Sequence, residues 1–387
     1  MNSKQFETAK MCLKVVTPIN ISDGIVLGAK DYLYDSRRQK VFFLNLHQWH
    51  MFIYKHMLLE KYESYLANFR DKQSLLEWLQ MQGYDIDDVR TVITSEAQAT
   101  VNLMDNEKKK TLNDINRHIQ QPDGSLYVPG SSIKGVFRTA ILYSLLQKRQ
   151  DIKVKYWRQI QEKISSNYFK PYRDFNKLIS DLENELLHTL RLVDGNIRSN
   201  NAVCSAMRGL QVSDTYASRN MQTAILQKVD GGFDKFGKAS PKKLPIFREC
   251  MLPKAELFFD VKIEKAVMST IGINTVDDLL KATHSFFAAV TDLLQQAFEK
   301  EYQEAFQGVA AGNMFLGGNT GFLSKTLLAM LAPDKDTAKN TIKVLLDKSF
   351  KNHKHLLRDK IIAPRTLKCT NYNGKLMLMG VAEVRKV

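Results

Sequence analysis

Cysteines and long apolar runs are scarce in this chain of 387 residues, which has four cysteines in all. The cysteines lie far apart and form no C-x-x-C pair, and this spacing argues against a zinc ribbon or a disulfide framework. No run of about 18 apolar residues predicts a membrane-spanning helix. No apolar segment of signal-peptide length follows the first lysines. We therefore expect a cytoplasmic protein with reduced thiols and without a membrane partner.

Acidic side chains are also relatively few, since 41 Asp and Glu stand against 56 Lys and Arg and leave a net charge of +15. Hydrophobic residues make up 44% of the chain and charged residues 25%, which is typical of a globular protein. The length suggests two or three domains and is enough to bury a sizeable core. The excess of positive charge predicts a polyanionic partner: a nucleic acid, an anionic membrane surface or an acidic protein.

Strand and helix patterns interleave along the chain without a regular βα repeat. Strand patterns predict a strand over 11–21, a hairpin over 31–44 and a second hairpin over 365–386. Apolar residues at helical spacing predict a helical insertion over about 45–105 and a long helix over 276–306. This pattern favours an α+β fold with antiparallel sheets over a doubly wound parallel sheet.

A turn followed by a helix over residues 129–138 is the first candidate site. The unpaired N–H groups and partial positive charge of a helix start attract anions, and glycine lets another backbone approach closely. We expect Ser131 or Ser132 to cap the helix. Lys134 and Arg138 lie one turn apart beside it and would add fixed positive charge. The alternative is a capped helix with two solvated basic residues.

A glycine-rich loop over 317–321 is the second candidate. The P-loop motif needs its lysine directly after a glycine, but three residues separate Gly321 from Lys325. We therefore exclude a P-loop and predict a loop that lets a polyanion pass close to the backbone.

An acyl-enzyme pattern overlaps both candidates. S-x-x-K is present at 131–134, whereas 213–215 and 325–327 only approach S-D-N and K-T-G. Two of the three elements fail at their last residue, and an enzyme of this class acting outside the cell would need an export signal. The sequence therefore gives little support to an enzyme of the penicillin-binding type.

The C-terminal part has the densest positive charge, with 13 Lys and Arg against 4 Asp and Glu over residues 335–387. On a helix, five of these cations fall on one side and six apolar residues on the other. The cations are Lys343, Lys348, Lys351, Lys354 and Arg358, and the apolar residues are Ile342, Leu345, Leu346, Phe350, Leu356 and Leu357. A solvated face is the usual alternative, but a row of like charges repels itself, so we expect it to bind a polyanion.

A basic loop over 228–248 is a further candidate. It has six basic residues against two acids. Its aromatic residues Phe233, Phe236 and Phe247 could stack on bases, as in proteins that bind single-stranded nucleic acids.

Metal ligands and general acid–base groups form no diagnostic cluster. His47, His50 and His56 lie on the first predicted helix without an acidic or cysteine partner at a ligand spacing. The sequence therefore predicts no metal, no cofactor and no catalytic residue.

Three segments resemble the RAMP proteins of CRISPR effector complexes. They are T-P-I-N-I-S-D-G at 17–24, Y-V-P-G-S-S-I-K-G-V-F-R at 127–138 and L-G-G-N-T-G at 316–321. With its length, its helical insertion and the segment 363–380, the chain is most similar to the family of fifth Csm subunits of type III-A systems. The resemblance covers nearly the whole chain.

The resemblance implies a fold of two ferredoxin-like, RRM-like domains, the first over 1–215 and the second over 216–387. It also implies a non-catalytic subunit that binds CRISPR RNA (crRNA) at the head of the Csm ribonucleoprotein, near the RNA 3′ end. Such a subunit contributes to crRNA maturation and antiviral defence. The implied partners are crRNA, target RNA and the backbone and small Csm subunits, with host nucleases as a further candidate.

The resemblance also assigns RNA-binding residues to the two motifs. The first set matches the motif that touches the RNA backbone, and the second matches the glycine-rich loop with the lysine that follows it. The first set is Gly130, Ser131, Ser132, Lys134, Gly135 and Arg138, and the second is Gly317, Gly318, Gly321 and Lys325. The aromatic RRM motif is absent, which favours contact through loops and helix starts.

Two catalytic functions are the alternatives to a non-catalytic RNA-binding subunit. Asp31 lies in a region loosely comparable to the catalytic loop of the backbone subunit, but its neighbours do not match that loop, and we interpret it as structural. The other alternative is a metal-independent RNA-processing endonuclease of the repeat-cleaving type, with a histidine as general acid or base.

Overall fold

Strands and helices alternate through the parts of the chain that the structure, a computed structural model, describes: residues 5–68, 73–100, 112, 114–166, 168–191, 201–217 and 221–387. The strands are β1 (Phe6–Val15), β2 (Val26–Leu27), β3 (Tyr32–Asp35), β4 (Lys40–Leu44), β5 (Ile93–Thr100), β6 (Ile115–Asn116), β7 (Leu210–Val212), β8 (Tyr216–Ala217), β9 (Thr223–Gly231), β10 (Lys242–Met251), β11 (Glu256–Glu264), β12 (Met314–Phe315), β13 (Leu367–Tyr372), β14 (Lys375–Leu378) and β15 (Val381–Lys386). The α-helices are α1 (Leu46–Lys55), α2 (Leu59–Ala67), α3 (Leu75–Met81), α4 (Gly130–Lys148), α5 (Gln150–Ser165), α6 (Pro171–Leu187), α7 (Lys265–Met268), α8 (Val276–Tyr302), α9 (Leu328–Leu331), α10 (Lys335–Ser349) and α11 (His355–Arg358).

The first sheet is antiparallel, and β1 and β11 lie at its centre. Its strand order is β12–β15–β1–β11–β7, and β8 also pairs with β11. Every second side chain of β11 is buried, as expected for a strand with one face on the core. The predicted strand over 11–21 is shifted: β1 ends at Val15, before Pro18, and Ile19 forms only an isolated bridge with Met251. Proline has no N–H to donate to a continuing ladder.

The second sheet is mixed, with the order β2–β6–β10–β9–β5–β4–β3, and β13 pairs with both β9 and β14. β10 pairs with β6 in parallel, as β5 does with β9. The predicted hairpin over 31–44 is confirmed as β3–β4. The C-terminal hairpin is confirmed as β13–β14, but β15 leaves it and joins β1 in the first sheet.

Strand β10 occupies part of the predicted basic loop. Its pairing with β9 is irregular between Lys243 and Phe247, around Pro245. A proline at such an irregularity is compatible with a strand, but it weakens the strand pattern in the sequence. The loop between β9 and β10 is therefore shorter than the sequence predicts.

The main core lies between the first sheet and helices α4 and α8. Helix α4 has an apolar stripe at helical spacing, and its Ile133, Phe137 and Ile141 are all fully buried. Tyr143 of α4 contacts Phe286 of α8, with ring centroids 5.6 Å apart. The start of α4 is thus held in place by its own core-facing side. In the described part of the chain, no helix is long and apolar enough to cross a membrane.

The helical insertion has a separate aromatic core. Helices α1, α2 and α3 and a 3-10 helix at Ile86–Val92 pack around buried Trp49, Tyr62 and Trp78. The prediction of a helical insertion is correct for the described residues 46–68 and 73–92 and wrong for 93–100, which form β5 between β4 and β9. The predicted residues 101–105 lie outside the described part.

Both sheets take strands from both sides of residue 215. In the first sheet β1 pairs with β11 and β15, and in the second β5 pairs with β9. Strand pairing therefore does not separate 1–215 from 216–387, and that division stays a prediction. The α+β class itself is confirmed.

Candidate nucleic-acid interface

Two of the predicted motifs face each other across one cleft. The start of α4 forms one wall and the glycine-rich loop forms the other, around a volume of about 370 Å³. The small and polar residues of the lining are Ser22, Ser132, Gly135, Thr139, Gly317, Gly318, Thr320, Ser324 and Lys325. The two motifs are distant in the sequence, so the tertiary fold brings them together.

Helix α4 begins at a close contact between backbones. A Cβ on Gly130 would lie 2.4 Å from a carbonyl oxygen of β7, so only glycine fits there. The N–H of Gly130 donates to Oδ1 of Asp214 at 2.7 Å. The prediction that Ser131 or Ser132 caps the helix is wrong, since Pro129 is the N-cap and has no side-chain cap hydrogen bond. Asp214 supplies an acceptor from another segment of the chain, which the local sequence does not indicate.

Gly135 leaves the cleft side of α4 bare. It is exposed, and a Cβ there would meet nothing within 4 Å. A glycine inside an exposed helix costs roughly 1 kcal/mol relative to alanine. Neither packing nor a positive φ requires glycine here. The missing side chain therefore gives a ligand close access to the helix backbone.

The opposite wall is shaped by glycine conformations. Gly317 has a φ of +89°, and a Cβ on it would lie 2.4 Å from the carbonyl oxygen of Asn20. The N–H of Gly318 donates to the same oxygen at 2.7 Å. Gly321 also has a positive φ, +92°. The loop therefore keeps its path only with glycine at 317, and it exposes backbone at the cleft.

Asn20 connects this loop to β10. Its side chain is fully buried, and its Nδ2 donates to the carbonyl oxygen of Glu249 at 2.8 Å. Its Oδ1 accepts from Nη1 of Arg248 at 3.0 Å. The buried Nε of Arg248 has no hydrogen-bond partner within the described chain. The sequence indicated Asn20 only as part of the 17–24 segment and did not single out Arg248, because a lone arginine on a strand forms no motif.

Of the two lysines predicted for the motifs, one belongs to the cleft lining. Lys325 lines the cleft, and partial desolvation together with the nearby charge of Arg248 lowers its pKa. Desolvation also lowers the pKa of Lys134, which is half-buried on α4. Neither lysine has an ion-pair partner among the described residues. A partly desolvated cation without a carboxylate gains strongly from a phosphate.

Arg138 does not line the cleft. Its guanidinium forms an ion pair with Glu183 of α6. Glu183 thus offsets the positive charge that Arg138 was predicted to add beside Lys134, and the local sequence does not show this carboxylate. The role of Arg138 in RNA binding stays a prediction. Ser131 is exposed, and Ser132 lies in the cleft lining.

The predicted continuous basic helix is also wrong. Helix α10 ends at Ser349, and Lys354 has a φ of +51°, a conformation that no helix continues through. Lys351 lies in a 3-10 turn and Arg358 on the short α11. Lys348 donates to the carbonyl oxygen of Ile164 at 2.6 Å. The five cations, including Lys343 on α10, thus do not form one row along a helix.

The apolar side of that predicted helix divides in the same way. Ile342, Leu345 and Leu346 on α10 are buried, as predicted. Phe350, Leu356 and Leu357 are exposed. The helical pattern therefore holds only as far as the real helix extends.

One of the three loop aromatics is available for stacking. Phe233 stacks on Phe298 with ring centroids 5.3 Å apart, and Phe247 is buried. Phe236 is 75% exposed, and the Nζ of Lys235 lies 4.8 Å from its ring centroid. An exposed ring beside a cation can stack on a base.

The histidines of α1 do not gather into a catalytic or metal cluster. His47 and His50 are exposed, whereas His56 packs against Phe52 and its Nδ1 lies 2.8 Å from the hydroxyl of Tyr84. No group of three or more His, Cys, Asp or Glu side chains within the described residues could hold a metal ion. Asp31 accepts a hydrogen bond from the N–H of Gly28 at 2.7 Å.

A sequence model of the RAMP superfamily matches residues 12–322, a range that includes the start of α4 and the glycine-rich loop over 317–321. The chain belongs to the RAMP superfamily. A curated relative, the CRISPR system Cms protein Csm5 of Mycobacterium tuberculosis (strain CDC 1551 / Oshkosh), is 26% identical over 396 residues, 98% of this chain and 97% of the relative. The Csm5 protein of Enterococcus italicus is 22% identical and covers 88% of this chain and 85% of its own length.

Solved structures share the fold. A chain of a Csm–crRNA–target RNA ternary complex of a type III-A CRISPR-Cas system, determined by cryo-electron microscopy, is similar with a TM-score of 0.67 and 17% identity. It covers 98% of this chain and 100% of its own. The crystal structure of T. onnurineus Csm5 has a TM-score of 0.61 at 18% identity and covers 96% of this chain and 99% of its own. The fold is therefore a RAMP fold along nearly its whole length.

Proposed function

We propose that the chain binds crRNA as a subunit of a type III-A Csm complex and is the Csm5 subunit of that complex. The observation that supports this proposal most is the cleft, in which both RAMP-like motifs present glycine backbone and which Lys325 also lines. The full-length similarity to proteins named Csm5 supports the same function.

The proposed binding mode relies on the RNA backbone. A phosphate would approach α4 at Gly135 and the loop at Gly318, while Lys325 and Lys134 balance its charge. Such contacts position the RNA without reading its sequence. Phe236, at the tip between β9 and β10, would add a stacking contact.

The proposal also covers catalysis, the position of the subunit in the complex and its partners. We propose a non-catalytic subunit at the head of the complex, near the crRNA 3′ end, that contributes to crRNA maturation. Its partners would be crRNA, target RNA and the backbone and small Csm subunits, with host nucleases as a further candidate. The cytoplasmic location predicted from the sequence stays a prediction.

Replacing Gly135 tests the proposal, because stability and RNA binding should change in opposite directions. Gly135→Leu should stabilise α4 by up to about 1 kcal/mol, since leucine favours a helix more than glycine does. The same side chain would fill the cleft and should weaken binding of a labelled single-stranded crRNA about tenfold. Fluorescence anisotropy gives the RNA affinity, and urea unfolding gives the stability.

Gln147→Leu is the matched control, since Gln147 is exposed near the other end of α4. It should leave RNA affinity within about twofold of the unchanged chain. If Gly135→Leu binds crRNA as tightly as the control does, the cleft is not the RNA site.

A further inference from the structure

Residues 350–361, after α10, expose four large apolar side chains. We call this segment the 350–361 surface. Its exposed fractions are 53% for Phe350, 47% for Leu356, 74% for Leu357 and 50% for Ile361. Single exposed apolar side chains are common, but several within one short segment indicate an interaction site.

The same surface has positive charge that nothing in the described chain neutralises. Its cations Lys351, Lys354, Arg358 and Lys360 are exposed, and none of them has an ion-pair partner among the described residues. The one acidic residue of the segment, Asp359, is fully buried. The surface therefore combines apolar side chains with a net positive charge.

A buried ionic network holds this surface in one conformation. Oδ2 of Asp359 lies 2.8 Å from Nδ1 of His355, and its Oδ1 accepts from Nη1 of Arg365 at 2.7 Å. Nη2 of Arg365 donates to the carbonyl oxygen of His353 at 3.2 Å. The apolar side chains are thus presented on an anchored backbone, which lowers the entropy lost when a partner binds.

A groove lined mainly by apolar residues, together with Lys335, Asp336 and Lys339, adjoins the surface. It has a volume of about 220 Å³ and lies between α8, α10 and residues 361–363. Leu293, Ala297 and Ile342 contribute to its lining, and the half-exposed Ile361 belongs to both groove and surface. A groove of this size can accept one or two apolar side chains of a partner.

We propose that the 350–361 surface and this groove bind an acidic protein segment that carries aliphatic side chains. Charge complementarity selects an acidic partner, because four exposed cations without an ion-pair partner among the described residues lie in the same segment as the apolar residues. The aliphatic character selects protein over RNA, since three of the four exposed apolar side chains are Leu or Ile and bases stack on aromatic rings. Apolar anchors inside a charged rim are the usual composition of a protein interface.

Titration of the full chain with two labelled probes tests this proposal. One probe is a helical peptide with leucines along one face and glutamates elsewhere, and the other is a single-stranded RNA. Leu357→Ser and Arg358→Glu should each weaken peptide binding about tenfold. Leu357→Ser should leave RNA binding unchanged. Both side chains are exposed, and thermal unfolding shows whether each variant keeps its fold.

Matched controls lie elsewhere on the surface. Val154→Ser replaces an apolar side chain that is 67% exposed on α5, and Lys55→Glu reverses an exposed charge on α1. Both should keep peptide affinity within about twofold. Absence of saturable peptide binding, or binding that Leu357→Ser does not weaken, would overturn the proposal. RNA binding that Arg358→Glu abolishes while the peptide does not bind would assign the surface to RNA instead.

Discussion

His118 is a fully buried, neutral side chain beside the candidate interface. The N–H of Ile21 donates to its Nδ1 at 3.0 Å, so the ring proton lies on Nε2, 3.1 Å from the carbonyl oxygen of Tyr127. Burial lowers the pKa of His118 to about 4. The imidazole thus holds the 17–24 segment, and with it Asn20, in the position that the glycine loop needs.

His118 should make the fold sensitive to mild acid. The unfolded chain takes up a proton near pH 6.5, whereas the folded chain resists protonation until about pH 4. The stability that the neutral ring provides is therefore full above about pH 6.5 and is lost as the pH falls towards 4. Between pH 7 and about pH 5 the free energy of unfolding should decrease by about 2 kcal/mol from this group. Urea unfolding at the two pH values measures it.

His118→Gln is the comparison, since glutamine keeps a donor and an acceptor but does not titrate. Its stability should change less between the two pH values than that of the unchanged chain. Glu249 acts in the opposite direction in both proteins, because burial raises its pKa and protonation then favours the folded state. Equal pH dependence in both proteins would contradict the role of His118.

At the scale of elements, α4 and the α10–α11 region differ in how well the apolar sequence pattern agrees with the extent of the helix. The apolar stripe of α4 matches its sequence pattern because the whole helix packs on the core. After Ser349 the apolar pattern continues but the helix does not, and Lys354 has a φ of +51°. Periodicity indicates which residues can share a face and does not show where the helix ends.

Asp359 should be the most sensitive position of this region. Asp359→Ala removes a fully buried carboxylate and leaves Arg365 and His355 without their partner. Breaking a buried ion pair costs about 3 kcal/mol or more. Hydrogen exchange should also become faster over residues 353–366. Urea unfolding and exchange mass spectrometry check both effects.

Asp336→Ala is the control for this change. Asp336 is paired with Lys339, but its side chain is 84% exposed, and exposed pairs contribute little. If the two variants are equally stable, the buried network does not anchor the region.

At the scale of the whole molecule, the net charge of +15 should make RNA affinity depend strongly on salt concentration. For single-stranded RNA, a plot of log affinity against log salt concentration has a slope of about −0.7 for each phosphate that the protein neutralises. If binding neutralises about four phosphates, crRNA affinity should fall about fiftyfold between about 50 and about 200 mM salt. Anisotropy titrations along a salt series measure this slope.

Lys325→Ala should make the slope shallower by about 0.7, the share of one phosphate. Lys55→Glu, on α1, provides a charge change away from the cleft. Affinity that hardly depends on salt would contradict a backbone-dominated binding mode.

The sequence by itself determined the α+β class, the two hairpins, the stripe of α4 and both glycine motifs, because these depend on local periodicity and turn chemistry. Only the tertiary structure decided that the motifs share a cleft, that Asn20 and Arg248 support it, and that Glu183 pairs with Arg138. It also divided the C-terminal cations among α10, a turn and α11. Ion pairs and close backbone contacts join residues far apart in the chain, and their partners are set by packing, which no local pattern encodes.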